Sequence, residues 1–157
     1  YDMDAIRTES GANCGSVWKI TVTNYKGAHF ATFPTELVER CIRAGTSEEG
    51  CCIECGAPYV RIIEKEEPDM VKRTTIGWER SCSCPIRISE DAKTPINSIP
   101  CTVLDPFSGA GTTALVADRL GRDAIGTDLK EEYVSMADDR VYDDAPLFHQ
   151  PHLKEKL

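Results

Sequence analysis

Cys101-Thr-Val-Leu-Asp-Pro-Phe-Ser-Gly-Ala-Gly-Thr-Thr113, answered downstream by Gly126-Thr-Asp-Leu129, is the stretch on which the fold turns. Thr102 to Leu104 is short, β-branched and apolar, the composition of a strand covered on both faces. Gly109 and Gly111 then bend the chain and leave no side chain between backbone and a ligand. A helix is predicted to start near Gly111 and to run through Thr-Thr-Ala-Leu-Val-Ala-Asp-Arg-Leu, with Gly121 at its exit. Asp123 to Gly126 supplies a second strand. Asp128 follows Asp105 by 23 positions, close to the spacing of about 20 at which a carboxylate meets a ribose hydroxyl pair. Strand, glycine-bent loop, helix, strand and acid together are the layout of a nucleoside-cofactor site at the edge of a parallel sheet, so the chain is read as α/β.

The charges of the loop select the cofactor. A dinucleotide loop carries a third glycine in phase; Thr113 and Ala114 stand there instead. The loop opens with Asp105-Pro106-Phe107, and an acid at a strand end repels a pyrophosphate. It suits a cationic amino-acid group. S-adenosylmethionine has an ammonium, a sulfonium, a ribose and an adenine and no phosphate, and is favoured over NAD.

Asp105-Pro-Phe-Ser-Gly-Ala-Gly-Thr-Thr113 resembles the first cofactor motif of the DNA amino-methyltransferases, which methylate adenine N6 or cytosine N4. Residues 124–134, Ala-Ile-Gly-Thr-Asp-Leu-Lys-Glu-Glu-Tyr-Val, resemble the second motif of that family. His29-Phe-Ala-Thr-Phe-Pro34, with Glu-Leu-Val-Glu-Arg-Cys-Ile after it, resembles the motif that precedes the first in the permuted branch. The resemblance implies a Rossmann-like S-adenosylmethionine-dependent methyltransferase sheet, partial here. It also implies roles by position. Asp105, Phe107, Ser108, Gly109 and Gly111 line the methionine end. Thr112 and Thr113 open the helix with hydroxyls that cap it or reach the ligand. Asp128 takes the ribose hydroxyls, Leu129 lies beside the adenine, and Ala31, Thr32 and Phe33 approach from the other side. Structural roles compete with these: Phe33 and Phe107 as core, Asp105 as the cap of a loop amide, Asp128 as the N-cap of the following helix.

The family's catalytic motif is Asp, Asn or Ser, then Pro-Pro, then an aromatic residue. The nine prolines of this chain include no adjacent pair, so that motif is absent and no catalytic residue is assigned. The chain opens at Tyr1. In the permuted order the motif precedes this stretch, and the expectation is the C-terminal portion of a longer enzyme, inactive without its N-terminal catalytic half. That enzyme would act on double-stranded DNA, flipping a base out of the duplex to expose its amine.

Cysteine forms the second constellation. Of eight, five fall between 51 and 84. Cys52-Ile-Glu-Cys55-Gly56 is a Cys-x-x-Cys turn, and Cys82-Ser-Cys84 offers a second pair after 26 intervening residues. Four thiolates satisfy structural zinc. Tyr59 to Ile63 and Arg73 to Trp78 read as two strands of a small hairpin between the pairs. Disulfides or free thiols are the plain alternative, and a redox motif would need a helix start that this position lacks. Cys41 and Cys101 read as core.

Four segments follow: 1–49 with the upstream motif, a cysteine-rich insert over 50–86, a cofactor-binding core over 87–145 and a tail over 146–157. Residues 1–15 read as a loose lead-in, Val17 to Thr23 as a strand by alternation, Pro34 to Ala44 as a helix with Leu37, Cys41 and Ala44 on one side, and Lys130 to Val141 as a helix. Hydrophobic content of 41% with 28% charged residues is that of a globular cytoplasmic domain, with no span of membrane length. A net charge of −8 opposes strong DNA binding by these residues themselves, since phosphate contacts need Lys and Arg. A non-catalytic nucleotide-binding module and a zinc-held interaction module are the rival functions. A restriction-modification setting is one of several that the resemblance allows.

Overall fold

The computed structural model describes residues 1–8, 10–21, 33–65, 73–86 and 98–146. The chain divides into two compact units, one of residues 1–19 and 40–101, the other of 20–39 and 102–157. Helix α1, Thr35–Gly45, belongs in part to each. Its buried positions are Val38, Ile42 and Ala44, whereas Cys41 is exposed. The helix lies where its periodicity placed it, but rotated: its β-branched residues are buried and its thiol is not.

The first unit contains β1 (Cys51–Cys52), β2 (Tyr59–Lys65), β3 (Arg73–Arg80) and β4 (Ser98–Ile99). The two strands expected around the hairpin are present and longer than the sequence indicated. They pair antiparallel from Tyr59↔Arg80 to Lys65↔Arg73, with an irregularity between Ile62 and Ile63. Strands β1 and β4 form a separate two-residue antiparallel pair. The lead-in is not loose. Ile6 is buried, the Asp2 amide donates to the Ala44 carbonyl at 2.8 Å, and the Asp2 carboxylate accepts from Arg61 Nε at 2.9 Å. Arg61 also reaches Glu48 and Thr75 and lies 4.3 Å from the Trp78 ring centroid. Polar residues near a chain end are thus ordered by one arginine whose fork serves three partners. The alternation over Val17 to Thr23 does not produce a strand in its described part, 17–21. Val17 is exposed, and without a burying surface alternation has nothing to register against.

The second unit is a β-α-β-α run: β5 (Thr102–Asp105), α2 (Thr112–Arg119), β6 (Asp123–Gly126) and α3 (Glu131–Asp144). Strands β5 and β6 are parallel, from Thr102↔Asp123 to Asp105↔Gly126, as a helical crossover requires. Helix α2 packs on both strands and on α3 and buries Leu115, Val116 and Ala117. Arg119 and Asp144 join α2 to α3 through two hydrogen bonds, and Gly121, at positive φ, ends the turn after α2. The expectation of a strand covered on both faces fails. Leu104 and its register partner Ile125 are 66% and 55% exposed, so the face they share is bare. An apolar run reports that a strand wants cover, not that the same chain supplies it.

Candidate cofactor site and cysteine cluster

The glycine loop lies at the carboxyl ends of β5 and β6, where open parallel sheets place their ligands. Its shape is fixed by stitches to the segment after β6. The Thr127 amide donates to the Asp105 carbonyl at 3.0 Å, the Ser108 amide to the Thr127 carbonyl at 2.9 Å, and the Thr127 hydroxyl to the Pro106 carbonyl at 3.0 Å. Gly126 permits this closeness, because a Cβ there would stand 2.6 Å from Ser108 Oγ. Gly111 is held to glycine twice over. Its φ is +71°, and a Cβ would meet the Ala137 Cβ of α3 at 2.6 Å.

Both acids are anchored. Asp105 accepts the Phe107 amide at 3.0 Å and the Thr113 hydroxyl at 2.6 Å. The loop-amide cap weighed as a competing role therefore exists. Asp128 accepts the Gly109 amide and the Lys130 amide, each at 3.0 Å. Hydrogen bonding from the Lys130 amide, joined by those of Gly109 and Leu129, holds its carboxyl below the usual carboxylate range. The helix N-cap is Lys130, so Asp128 sits two residues ahead of the capping position. Phe107 is 84% exposed and Leu129 fully so; neither is core. Ser108 and Thr112 are buried, and the Thr112 hydroxyl accepts from Arg140 at 2.9 Å. Phe33 is exposed at the start of the described stretch before α1, while Ala31 and Thr32 lie outside the described residues.

The hairpin register assembles the cysteine cluster. Pairing of Tyr59 with Arg80 sets the residues before β2 opposite those after β3. A tight turn closes the first pair, with the Gly56 amide donating to the Cys52 carbonyl at 2.8 Å. The Ser81 hydroxyl ties the second segment to the Pro58 carbonyl at 2.5 Å. The sulfurs of Cys52, Cys55, Cys82 and Cys84 consequently all lie within 4.8 Å of one another. Four ligands at about 2.3 Å from one zinc ion stand about 3.8 Å apart, so small shifts would close a tetrahedron. All eight cysteines are free in this structure. The Cys52 thiol is lowered to about 6, chiefly by the Glu54 and Cys55 amides, and that of Cys84 is raised to about 12, chiefly by its hydrogen bond with Cys55. Cys101 is buried as expected.

A sequence profile described as DNA methylase matches residues 97–139, a span that contains the whole loop, Asp128 and most of α3. The type II methyltransferase M.SmaI of Serratia marcescens is 26% identical over 90% of this chain and 33% of its own length. M.Cfr9I of Citrobacter freundii is 28% identical over 90% of this chain and 31% of its own. Locally the likeness sharpens: M1.MboII of Moraxella bovis is 60% identical over 35 residues, 22% of this chain and 14% of that protein. What the chain shares with the DNA methylase family is thus concentrated in residues 97–139. The chain spans about a third of the length of the first two of these relatives. The solved structure of a protein described as a DNA modification methylase from Thermus thermophilus, complexed with S-adenosyl-L-methionine, overlays 74% of this chain and 27% of that one at 25% identity and a TM-score of 0.37, too low to bear on arrangement.

Two residues of this chain gain their places only through the fold. Arg140 of α3 donates to the Ala110 carbonyl at 3.0 Å as well as to Thr112, bracing the loop. Arg80 points into the cysteines. The one signal for Arg80 is its place two residues before Cys82 on a predicted strand; for Arg140, a basic residue one turn beyond the small Ala137. No described helix is long and apolar enough to cross a membrane.

Proposed function

We propose that these residues form the S-adenosylmethionine-binding portion of a DNA methyltransferase that modifies an exocyclic amine, adenine N6 or cytosine N4. The observation that carries the reading is a pair of anchored carboxylates, Asp105 and Asp128, at the carboxyl ends of adjacent parallel strands with a glycine loop between them. The donor set fits the cofactor. The loop presents acid and bare backbone where an ammonium must be held, and no Lys or Arg lies between Asp105 and Ala117 to bind a phosphate. Asp105, Phe107, Gly109 and Gly111 would hold the methionine end, and Asp128 the ribose hydroxyls, with exposed Leu129 against the adenine. Ala31, Thr32 and Phe33 would complete the approach.

The cofactor supplies the methyl group. The chain's own residues bind and orient it: Asp128 is pre-aligned by two backbone amides, so ligand binding need not freeze it. No adjacent prolines are present, so these residues would bind cofactor without holding the target amine, and methyl transfer to double-stranded DNA would need a Pro-Pro-aromatic segment besides them. We also propose that Cys52, Cys55, Cys82 and Cys84 hold one structural zinc ion.

Calorimetric titration with S-adenosylmethionine and with NAD, on the wild type and on Asp128→Asn, tests the reading. Binding of the first ligand alone, weakened by the substitution, is expected. Binding of NAD, or S-adenosylmethionine binding indifferent to Asp128, would overturn it.

A further inference from the structure

Arg80 closes β3, and its side chain turns into the cysteine cluster. One guanidinium nitrogen, Nη2, stands 3.6 Å from Cys82 Sγ and 3.9 Å from Cys52 Sγ, and donates to the Cys84 carbonyl at 2.7 Å. It thus touches the knuckle on one side and the Cys82-Ser-Cys84 turn on the other. Arg80 Nε is buried and has no partner among the described residues. This is not the posture of a surface arginine with its charge in water.

A zinc ion with four thiolates carries a net charge of −2. Such a centre beside a small hairpin has little protein around it to spread that charge. A guanidinium keeps its proton at any working pH and directs several N–H groups from one plane. We propose that Arg80 is the counter-cation of the four-cysteine metal centre, lowering its net charge to −1 and hydrogen-bonding two of its sulfurs so that they stay on the metal. The inference rests on the zinc reading given above. Its consequence concerns reactivity. Metal-bound thiolate is nucleophilic in proportion to the electron density left on sulfur, and an N–H donor withdraws some of it. The arrangement describes an inert, structural centre instead of one that exchanges or alkylates its ligands. Arg80 acts through Cys52 and Cys82 and is a positioning residue. Lysine would replace it only in part, because its ammonium keeps the charge but sits on a flexible stem and is not held in place by a planar guanidinium.

The test uses the zinc-loaded chain as wild type, Arg80→Gln and Arg80→Lys. Zinc affinity is read by competition with a chromophoric chelator, the ligand set by the charge-transfer and d–d absorption of the cobalt-substituted protein, and folding by Trp78 fluorescence. Outer-sphere partners of metal ligands commonly carry about 10- to 100-fold in affinity. Arg80→Gln is expected to lose zinc affinity by about that factor, with Arg80→Lys falling between it and the wild type. The four-sulfur cobalt spectrum is expected in all three, and iodoacetamide is expected to alkylate the zinc-loaded Gln variant faster. A purely structural residue would disturb Trp78 without separating Lys from Gln. Affinities within about twofold of wild type in both variants would overturn the role of Arg80 while leaving the zinc site standing. A wild-type chain that takes up neither zinc nor cobalt would overturn both. Should the Gln variant not fold, Arg80→Lys decides: unchanged affinity and alkylation rate overturn the inference.

Discussion

The glycine loop and the cysteine cluster both gather acidic groups, and they restrain them in opposite ways. In the loop, Asp105 and Asp128 are each held by donors of the same short segment, Phe107 and Thr113 for one, Gly109 and Lys130 for the other. Its shape is complete before a ligand arrives. In the cluster, four sulfurs are brought together by a hairpin, and they crowd one another; the shift of Cys84 to about 12 records that crowding. Backbone donors can hold carboxylates in place without a ligand, whereas converging thiolates need a cation to complete their site.

The difference is broken most severely by taking the cation away. Chelation, or Cys82→Ser with Cys84→Ser, is expected to disorder the hairpin and leave the second unit folded, because structural zinc contributes on the order of 10 kcal/mol to small metal-held folds. Trp78 fluorescence followed beside amide exchange in α2 and α3 would check this; coincident loss of both units would contradict it. Next in size is Gly111→Ala. Positive φ and the abutting Ala137 are expected to cost roughly 1–3 kcal/mol and to abolish cofactor binding, read by urea denaturation and calorimetry. Asp128→Asn follows, with about tenfold or greater loss of S-adenosylmethionine affinity and little change in stability.

Acidity separates the regions further. The lowered carboxyl of Asp128 favours the folded state above the ordinary carboxylate value of 3.8, and that contribution is lost as pH falls through its folded value. In the metal-free cluster, Cys52 favours the fold increasingly from about 6 up to the ordinary 9.0, and Cys84 favours it below 9.0 and progressively less towards about 12. Residual hairpin order in the metal-free chain is therefore expected to be greatest near pH 9, and zinc to erase that dependence; a flat profile without metal would contradict the thiol assignments. The smallest effect belongs to Arg119→Ala. Its bidentate pair with Asp144 is half exposed, and its loss is expected to cost about 1 kcal/mol or less by thermal melting.

What could be read beforehand followed from chemistry that is local along the chain. The β5-α2-β6-α3 order, the parallel pairing, the glycine at positive φ and the hairpin around the cysteines all lie in runs short enough for spacing to define them. What escaped depends on distant partners. Val17 alternates without a surface to face, the two-residue strands β1 and β4 carry no pattern of their own, and Asp2 owes its order to Arg61. Arg80 and Arg140 acquire partners only when a hairpin and a helix bring them to a sulfur pair and a carbonyl.

The bare face of β5 and β6 has a practical consequence. Leu104 and Ile125 lie side by side on a ribbon that, among the described residues, is two strands wide with open backbone edges. Such ribbons seek one another in solution, edge to edge or face to face. Light scattering of the purified chain should show self-association that grows with concentration, and Leu104→Lys or Ile125→Thr should suppress it without touching Asp128. Cofactor titrations are accordingly best made dilute, where the molecule that binds is the single chain.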